Sequence, residues 1–377
     1  EPMEAVLETT EKKVFELVQK RNTGDFVPIK QVVLNALDKI EAASKNAGSV
    51  TGIPTGFLDL DYKTAGLQPS DLILIAARPS MGKTAFVLSM ARNMAIDYQC
   101  PVAFFSLEMS AIQLMTRLIV AETGLDSKLI RSGQLTAADW NHLMVASKPL
   151  GQAKLYIDDT PALSIFEFRS KVRRLHTHHG IKIIIVDYLQ LMTAGNMSSG
   201  GNGNREQEVA FISRTLKAIA KELNVPIIAL SQLSRNTESR GGTKRPQLSD
   251  LRESGAIEQD ADVVAFIHRP EYYGFTETED HKSTDGIAEI IIAKHRNGEV
   301  TDVRMRFIKE QARFANLEMM SQTPMGEQYD TYESPSAAGA GGMGISPLQN
   351  MTGADEFSLG APAARMAVAP TDDEAPF

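Results

Sequence analysis

This 377-residue chain predicts a doubly wound α/β fold: a mostly parallel sheet, an antiparallel edge extension and an N-terminal helical linker. Three observations carry that expectation. Near-continuous apolar runs such as Leu72-Ile73-Leu74-Ile75-Ala76 recur through the centre, as in strands buried on both faces of a parallel sheet. Segments of helical periodicity separate them. One run feeds directly into Ala77-Arg78-Pro79-Ser80-Met81-Gly82-Lys83-Thr84, a phosphate-binding loop at the start of a helix.

Residues 11–21 and 28–45 read as helices, broken by Asn22-Thr23-Gly24-Asp25. In the second, Ile29, Val33, Leu37, Ile40 and Ala43 form an apolar stripe that packs either on the chain's own core or on a neighbouring subunit. Strands are expected at 72–77, 102–107, 154–158, 182–187, 226–231, 262–267, 288–294 and 302–309. Helices at 84–96, 110–122, 136–147, 164–179 and 206–223 separate the early strands. Only loops separate the last ones, which therefore pair antiparallel at one edge. Residues 193–204 and 233–255 are long loops, and loops of that length in a compact domain are usually functional. Beyond Met325 the Ala/Gly/Ser/Pro-rich composition predicts disorder. The expected division is 1–48 linker, 49–320 ATPase domain and 321–377 tail.

Composition narrows the function classes. No apolar stretch is long enough to span a bilayer, and the start has neither the basic end nor the apolar core of a signal peptide. The lone Cys100 cannot form an internal disulfide, which suits a reducing cytoplasm. The first residue is not methionine, so a longer parent chain is expected. Net charge is −8, but the segment from Met325 carries −7 of it, eight carboxylates against Arg365. The nearly neutral remainder is compatible with a local basic stripe for nucleic acid.

The loop at 77–84 has the form that wraps backbone N–H groups around phosphates, with Lys83 reaching the terminal phosphates and Thr84 ligating Mg²⁺. Ala77 replaces the usual first glycine, which is tolerable where that residue stays extended. Lys182-Ile183-Ile184-Ile185-Val186-Asp187 delivers Asp187 to the carboxyl edge of the sheet, beside that loop and its metal. Glu108, after a strand expected to lie next to the first, is either the base for the attacking water or a helix-start acid. Arg117 on the following helix meets either phosphate or solvent.

Gln232 ends a strand where an amide can sense a γ-phosphate. The loop after it carries Arg235, Arg240, Lys244 and Arg245, then Arg252-Glu253-Ser254-Gly255. Such a loop is either a solvated charged segment or a sequence-independent phosphate contact. In Ala293-Lys294-His295-Arg296-Asn297-Gly298 an Asn-Gly turn presents Lys294 and Arg296 at a hairpin tip, where an arginine can act on a neighbour's nucleotide. His176, His178 and His179 lack a cysteine or carboxylate at ligand spacing, so a zinc site is not expected.

Together these segments resemble the ATPase domain of DnaB-type replicative helicases, a branch of the RecA-like fold. The carrying text is Thr51–Phe57, the loop at 77–84, Ser106–Ser110, Asp187–Leu191, Leu230–Arg235, Ala293–Gly298 and above all Leu248-Ser249-Asp250-Leu251-Arg252-Glu253-Ser254-Gly255-Ala256-Ile257-Glu258-Gln259-Asp260-Ala261-Asp262. The resemblance runs from about Glu11 to about Leu317. It implies a homohexameric ring moving 5′ to 3′ on single-stranded DNA and opening forks, with ATP at each subunit interface. Ser80, Met81, Gly82, Lys83, Thr84, Ala85 and Arg117 would bind ATP in cis, and Thr84 and Asp187 would hold Mg²⁺. Glu108 would be the base and Gln232 the γ-phosphate sensor, while Lys294, His295 and Arg296 would reach the neighbour's nucleotide. Arg252, Glu253, Gly255 and Arg235 would hold DNA, and the helix at 28–45 would dock on the adjacent subunit.

The resemblance also implies a helicase loader as partner. The N-terminal primase-binding domain of the family is missing from this sequence, so primase contact is not expected of it. The tail ends Thr371-Asp372-Asp373-Glu374-Ala375-Pro376-Phe377, similar to the acidic tip of bacterial single-stranded-DNA-binding proteins. It reads either as an inert solubilising end or as a contact for replisome partners. A RecA-like strand-exchange ATPase and a nucleotide-switched DNA clamp or loader are the rival readings.

Overall fold

The computed structural model describes residues 13, 28–45, 50–195, 205–240, 242–277 and 283–317, excluding the side chains of 35, 39, 42, 43, 45, 236, 239 and 252–256. The chain divides into two units, 1–319 and 320–377. The expected helix at 11–21 apart from Lys13, the loop at 196–204 and the tail with its acidic tip lie outside the described residues.

Nine strands form one sheet: β1 Leu72–Ala77, β2 Val102–Ser106, β3 Leu155–Asp158, β4 Ile183–Asp187, β5 Ile227–Gln232, β6 Val263–His268, β7 Ile287–His295, β8 Thr301–Ile308 and β9 Arg313–Asn316. Their order is β3-β2-β4-β5-β1-β6-β7-β8-β9. The first six in that order are parallel, and β6 to β9 pair antiparallel. The RecA-like parallel core with its antiparallel edge is therefore present. One expectation fails: β2 is not beside β1, because β4 and β5 come between them.

The helices are α1 Ile29–Lys45, α2 Leu58–Thr64, α3 Lys83–Arg92 with a π turn at Asn93–Asp97, α4 Ala111–Thr123, α5 Ser127–Ser132, α6 Ala137–Ala146, α7 Lys148–Gln152, α8 Ile165–His179, α9 Arg205–Leu223, α10 Asn236–Ser239 and α11 Gly255–Asp260. β1 is buried along its whole length because its period-2 side chains meet a core on each face. Ile73 and Ile75 pack with Phe86, Met90 and Phe314 on one face. Leu72, Leu74 and Ala76 pack with Phe168, Ile212 and Leu216 on the other. Thr55-Gly56-Phe57 serves this packing: the buried Asp61 carboxylate accepts from Thr55 N (2.8 Å), Thr55 Oγ1 (2.7 Å) and Gly56 N (3.0 Å).

α1 is different. Its Ile29, Val33, Leu37 and Ile40 are all exposed. The stripe is thus not part of this chain's own core.

Candidate functional site: a phosphate cavity and a distant cationic hairpin

β1 ends at Ala77, still paired in register with Gln232, so the position that departs from the usual glycine is ordinary extended strand. The chain then turns through Ser80 (φ 65°) and Gly82 (φ 96°), and α3 starts at Lys83. The Gly82 conformation favours glycine, and a Cβ there would lie 3.1 Å from the Phe314 ring.

This loop floors a cavity of about 690 Å³. Ser80, Gly82, Lys83, Thr84 and Ala85 line it, together with Glu108, Arg117 and Gln232. The structure therefore brings together the expected cis groups, drawn from the edges of β1, β2 and β5. Glu108 is exposed and lines the cavity, and it takes no part in the capping box of α4. Ser110 caps α4 with Gln113 completing the box. Met81 differs from the expectation: its side chain is buried in the core, which leaves only its backbone to the loop.

Thr84 Oγ1 donates to Asp187 Oδ2 at 2.6 Å, and Asp187 Oδ1 is buried without a hydrogen-bond partner. Burial pushes the Asp187 carboxyl above its usual range. A hard cation that keeps most of its waters fits an orphaned carboxylate oxygen beside a hydroxyl. Burial likewise pulls the Lys83 ammonium down. Lys83 lies 5.4 Å from the Tyr188 ring centroid and forms no ion pair among the described residues. An anion in the cavity would restore what burial costs it.

Several cavity residues escaped the sequence. Arg131 on α5 and Lys309 to Ala312 in the β8–β9 turn line its outer wall. Arg269 donates to Ser80 O at 3.3 Å and stacks 3.9 Å from the Phe307 centroid, bracing the loop from below. The side chain of Arg78, buried beneath the loop, bonds away from it.

Lys294, His295 and Arg296 are elsewhere. Val263 pairs with His295 across antiparallel strands, which puts these residues at the amino edge of β1 and β6. The length of β1, about 16 Å, separates that edge from the phosphate loop. Lys294 Nζ donates to the carbonyls of Glu258 and Gln259. Arg296 Nη2 donates to Gln259 O at 2.8 Å, and Nη1 lies 3.4 Å from Asp262 Oδ1. The Asn-Gly turn is a correction: the connection spans residues 296–300, and neither Asn297 nor Gly298 takes a positive φ. Gly298 is needed because a Cβ would lie 2.3 Å from the His295 ring.

The residues expected to hold DNA are partly described. Arg252, Glu253 and Gly255 lie at the junction of a 3-10 turn and α11, and their side chains fall outside the described set. Arg235 is exposed. The other loop cations have internal partners: Arg240 with Asp250, Arg245 with Glu289 and Asp302, and Lys244 over the Tyr273 ring. They shape the loop.

A family profile described as "DnaB-like helicase C terminal domain" matches residues 52–316. The chain belongs to that family. A "Replicative DNA helicase DnaB" of Geobacillus stearothermophilus is 48% identical over 316 residues, which is 84% of this chain and 68% of the relative. A "Replicative DNA helicase DnaC" of Bacillus subtilis is 50% identical over the same shares. Among solved structures, one described as an ATPase domain superposes with a TM-score of 0.71 at 40% identity, covering 78% of this chain and 100% of that one. A DnaB-like replicative helicase described with its primase interactions gives 0.68 at 40% identity, over 81% of this chain and 71% of that one. As a member of the DnaB-like family, the chain carries the RecA-like ATPase fold on which both site halves sit.

Proposed function

We propose that this chain is the motor part of an ATP-dependent replicative helicase, in which each ATP is shared between two copies of the chain. One observation carries this reading. The groups suited to receive phosphate and the cations suited to stabilise its transfer sit at opposite edges of one sheet. One chain cannot close both on one nucleotide, whereas a head-to-tail neighbour can. Head-to-tail contacts that close give a ring, and six copies are the number the family resemblance implies.

In this mechanism Lys83 and the loop amides bind the phosphates, and Arg117 adds charge beside them. Glu108 accepts a proton from the attacking water as the water oxygen bonds to the γ-phosphorus and the bond from that phosphorus to the β,γ-bridging oxygen breaks, releasing ADP and inorganic phosphate. Mg²⁺ held by Thr84 and Asp187 would neutralise charge on the phosphate oxygens. Arg296 of the neighbour, with Lys294 and His295, stabilises the charge spread over the transferring group, an effect of about 10³–10⁵ in rate. Gln232 senses the γ-phosphate, and Arg252, Glu253, Gly255 and Arg235 hold single-stranded DNA by its backbone. Successive subunits pass the strand 5′ to 3′ and part the duplex at the fork. The exposed stripe of α1 docks on the adjacent copy.

Subunit mixing tests the shared site. Lys83→Ala and Arg296→Ala should each abolish DNA-stimulated ATPase activity. Mixed together they should regain part of it, because some interfaces then pair an intact loop with an intact finger. A mixture as dead as its components would refute the shared site.

A further inference from the structure

We infer that Glu238, acting through Arg78, is a positioning residue that couples the phosphate cavity to the Arg235 loop within one chain. Arg78 is the second residue of the phosphate loop and lines the cavity. Its side chain is only 7% exposed. Nη1 donates to Leu233 O at 2.8 Å, while Nε and Nη2 both reach Glu238 Oε1, at 3.0 and 2.9 Å. Three of its donor contacts therefore leave the phosphate loop for the segment directly after Gln232.

That segment is bonded within itself and at both ends. Glu238 N donates to Arg235 O at 3.0 Å, and Thr237 Oγ1 donates to Ser234 O at 3.1 Å, closing the single turn of α10. Leu233 N donates to Ala77 O at 3.2 Å, so the root of the segment is pinned to the end of β1. Arg240 and Arg245 fix its far end. Between those anchors, the Arg78–Glu238 contact determines where the exposed Arg235 points.

The guanidinium also belongs to the phosphate site. Arg78 lines the same cavity as Lys83 and Thr84. Phosphate in the cavity and Glu238 outside it therefore draw on one cation whose five donors are limited. A shift of Arg78 toward either partner changes the hold on the other. Coupling of this kind is reciprocal: phosphate changes the Arg235 loop, and strand bound at Arg235 changes the phosphate site.

The inference rests on the proposed function for its DNA readout, so two readouts are paired on the full chain. The first is affinity for a fluorescent oligothymidine with Mg²⁺ and either ADP or a slowly hydrolysed ATP analogue. The wild type should show a ratio between the two nucleotides. Glu238→Ala should shrink that ratio by about fivefold or more at unchanged Tm, and Glu238→Gln should shrink it less. The second is tryptic cleavage after Arg235 with and without the ATP analogue. The nucleotide should change the wild-type cleavage rate and leave that of Glu238→Ala unaltered.

A Glu238→Ala chain with wild-type responses in both readouts overturns the inference. Should Glu238→Ala misfold, Glu238→Gln with wild-type responses does the same. A wild type whose DNA affinity ignores nucleotide defeats the helicase reading. The cleavage readout then decides the Arg78–Glu238 coupling alone.

Discussion

The two edges of the sheet treat charge in opposite ways. At the carboxyl edge, the Lys83 ammonium and the Asp187 carboxylate are largely buried and left short of partners. Lys83 has no ion pair among the described residues, and Asp187 keeps one orphaned oxygen. At the amino edge the cations are engaged. Lys294 and Arg296 lie on the carbonyls of Glu258 and Gln259 at the end of α11, and Asp262 accepts from Lys217 and from Leu72 N at 2.8 Å. Desolvated charge without a partner is costly in isolation, and a ligand repays it. Neutral carbonyls hold a cation loosely enough for a phosphate to take it over. On the proposed reading, the carboxyl edge receives the nucleotide and the amino edge lends cations to another copy. The proposed finger and the proposed DNA contact share one helix: α11 starts at Gly255 and ends under Lys294 and Arg296.

Removing the key cation at each edge gives the largest expected effect. Arg296→Ala should lower turnover about 10³-fold or more while nucleotide affinity of the dilute chain stays unchanged. Lys83→Ala should lower both. Equilibrium binding of a fluorescent nucleotide at low protein concentration separates them. A loss of monomer affinity in Arg296→Ala would mean that the finger reaches its own cavity, and the contrast would collapse.

Stability should break the other way. Asp262→Ala strands the Leu72 amide and leaves Lys217 with Ser70 O, at 2.8 Å, and should cost about 3 kcal/mol in urea unfolding. Asp187→Asn removes a carboxylate whose charged form burial already disfavours. It should leave unfolding stability unchanged or slightly raised while abolishing hydrolysis. Equal losses from both substitutions would show that the edges are not differently charged environments.

A smaller effect belongs to His268, at the carboxyl edge. Burial, helped by the Arg245 charge, lowers it to about 4 from an ordinary 6.5. The unfolded chain then binds the proton first as pH falls. Stability from this group is complete above pH 6.5 and is lost toward pH 4, about 2 kcal/mol of it by pH 5. Unfolding titrations from pH 8 to 4.5 should therefore be flatter in His268→Gln than in wild type.

Much of this was legible in the sequence where chemistry and chain order coincide. The phosphate loop, Asp187, Glu108 and Gln232 each follow an apolar strand, so strand prediction alone sends them to one edge. β9 was missed because its four residues contribute one buried apolar side chain, Phe314. α5 was missed because it buries none, although its Asp126 cap is a readable start signal. The Arg78–Glu238 pair joins residues 160 apart, and no local pattern encodes such a partner. The misplaced β2 has the same cause: strand composition gives burial, whereas neighbour order depends on where each crossover helix packs.

The finest test lies in the hairpin turn. Gly298 is not there for a left-handed turn, since its φ is not positive. It is there for space: a Cβ would meet His295 Cε1 and Nδ1 at 2.3 Å. That Nδ1 is buried and has no hydrogen-bond partner, and the ring lies between Lys294 and Arg296 in sequence. Gly298→Ala must push the ring, and with it the cations on either side, by about an ångström. The expected cost in stability is about 1 kcal/mol, near the floor of what unfolding resolves. Turnover should fall about tenfold at unchanged monomer affinity for nucleotide, as Arg296→Ala does on a larger scale. His295→Ala should restore much of the turnover lost to Gly298→Ala, because the clash then has no second partner. Without that rescue, the glycine would matter for the backbone, and the amino edge would not be tuned by the fit of the His295 ring.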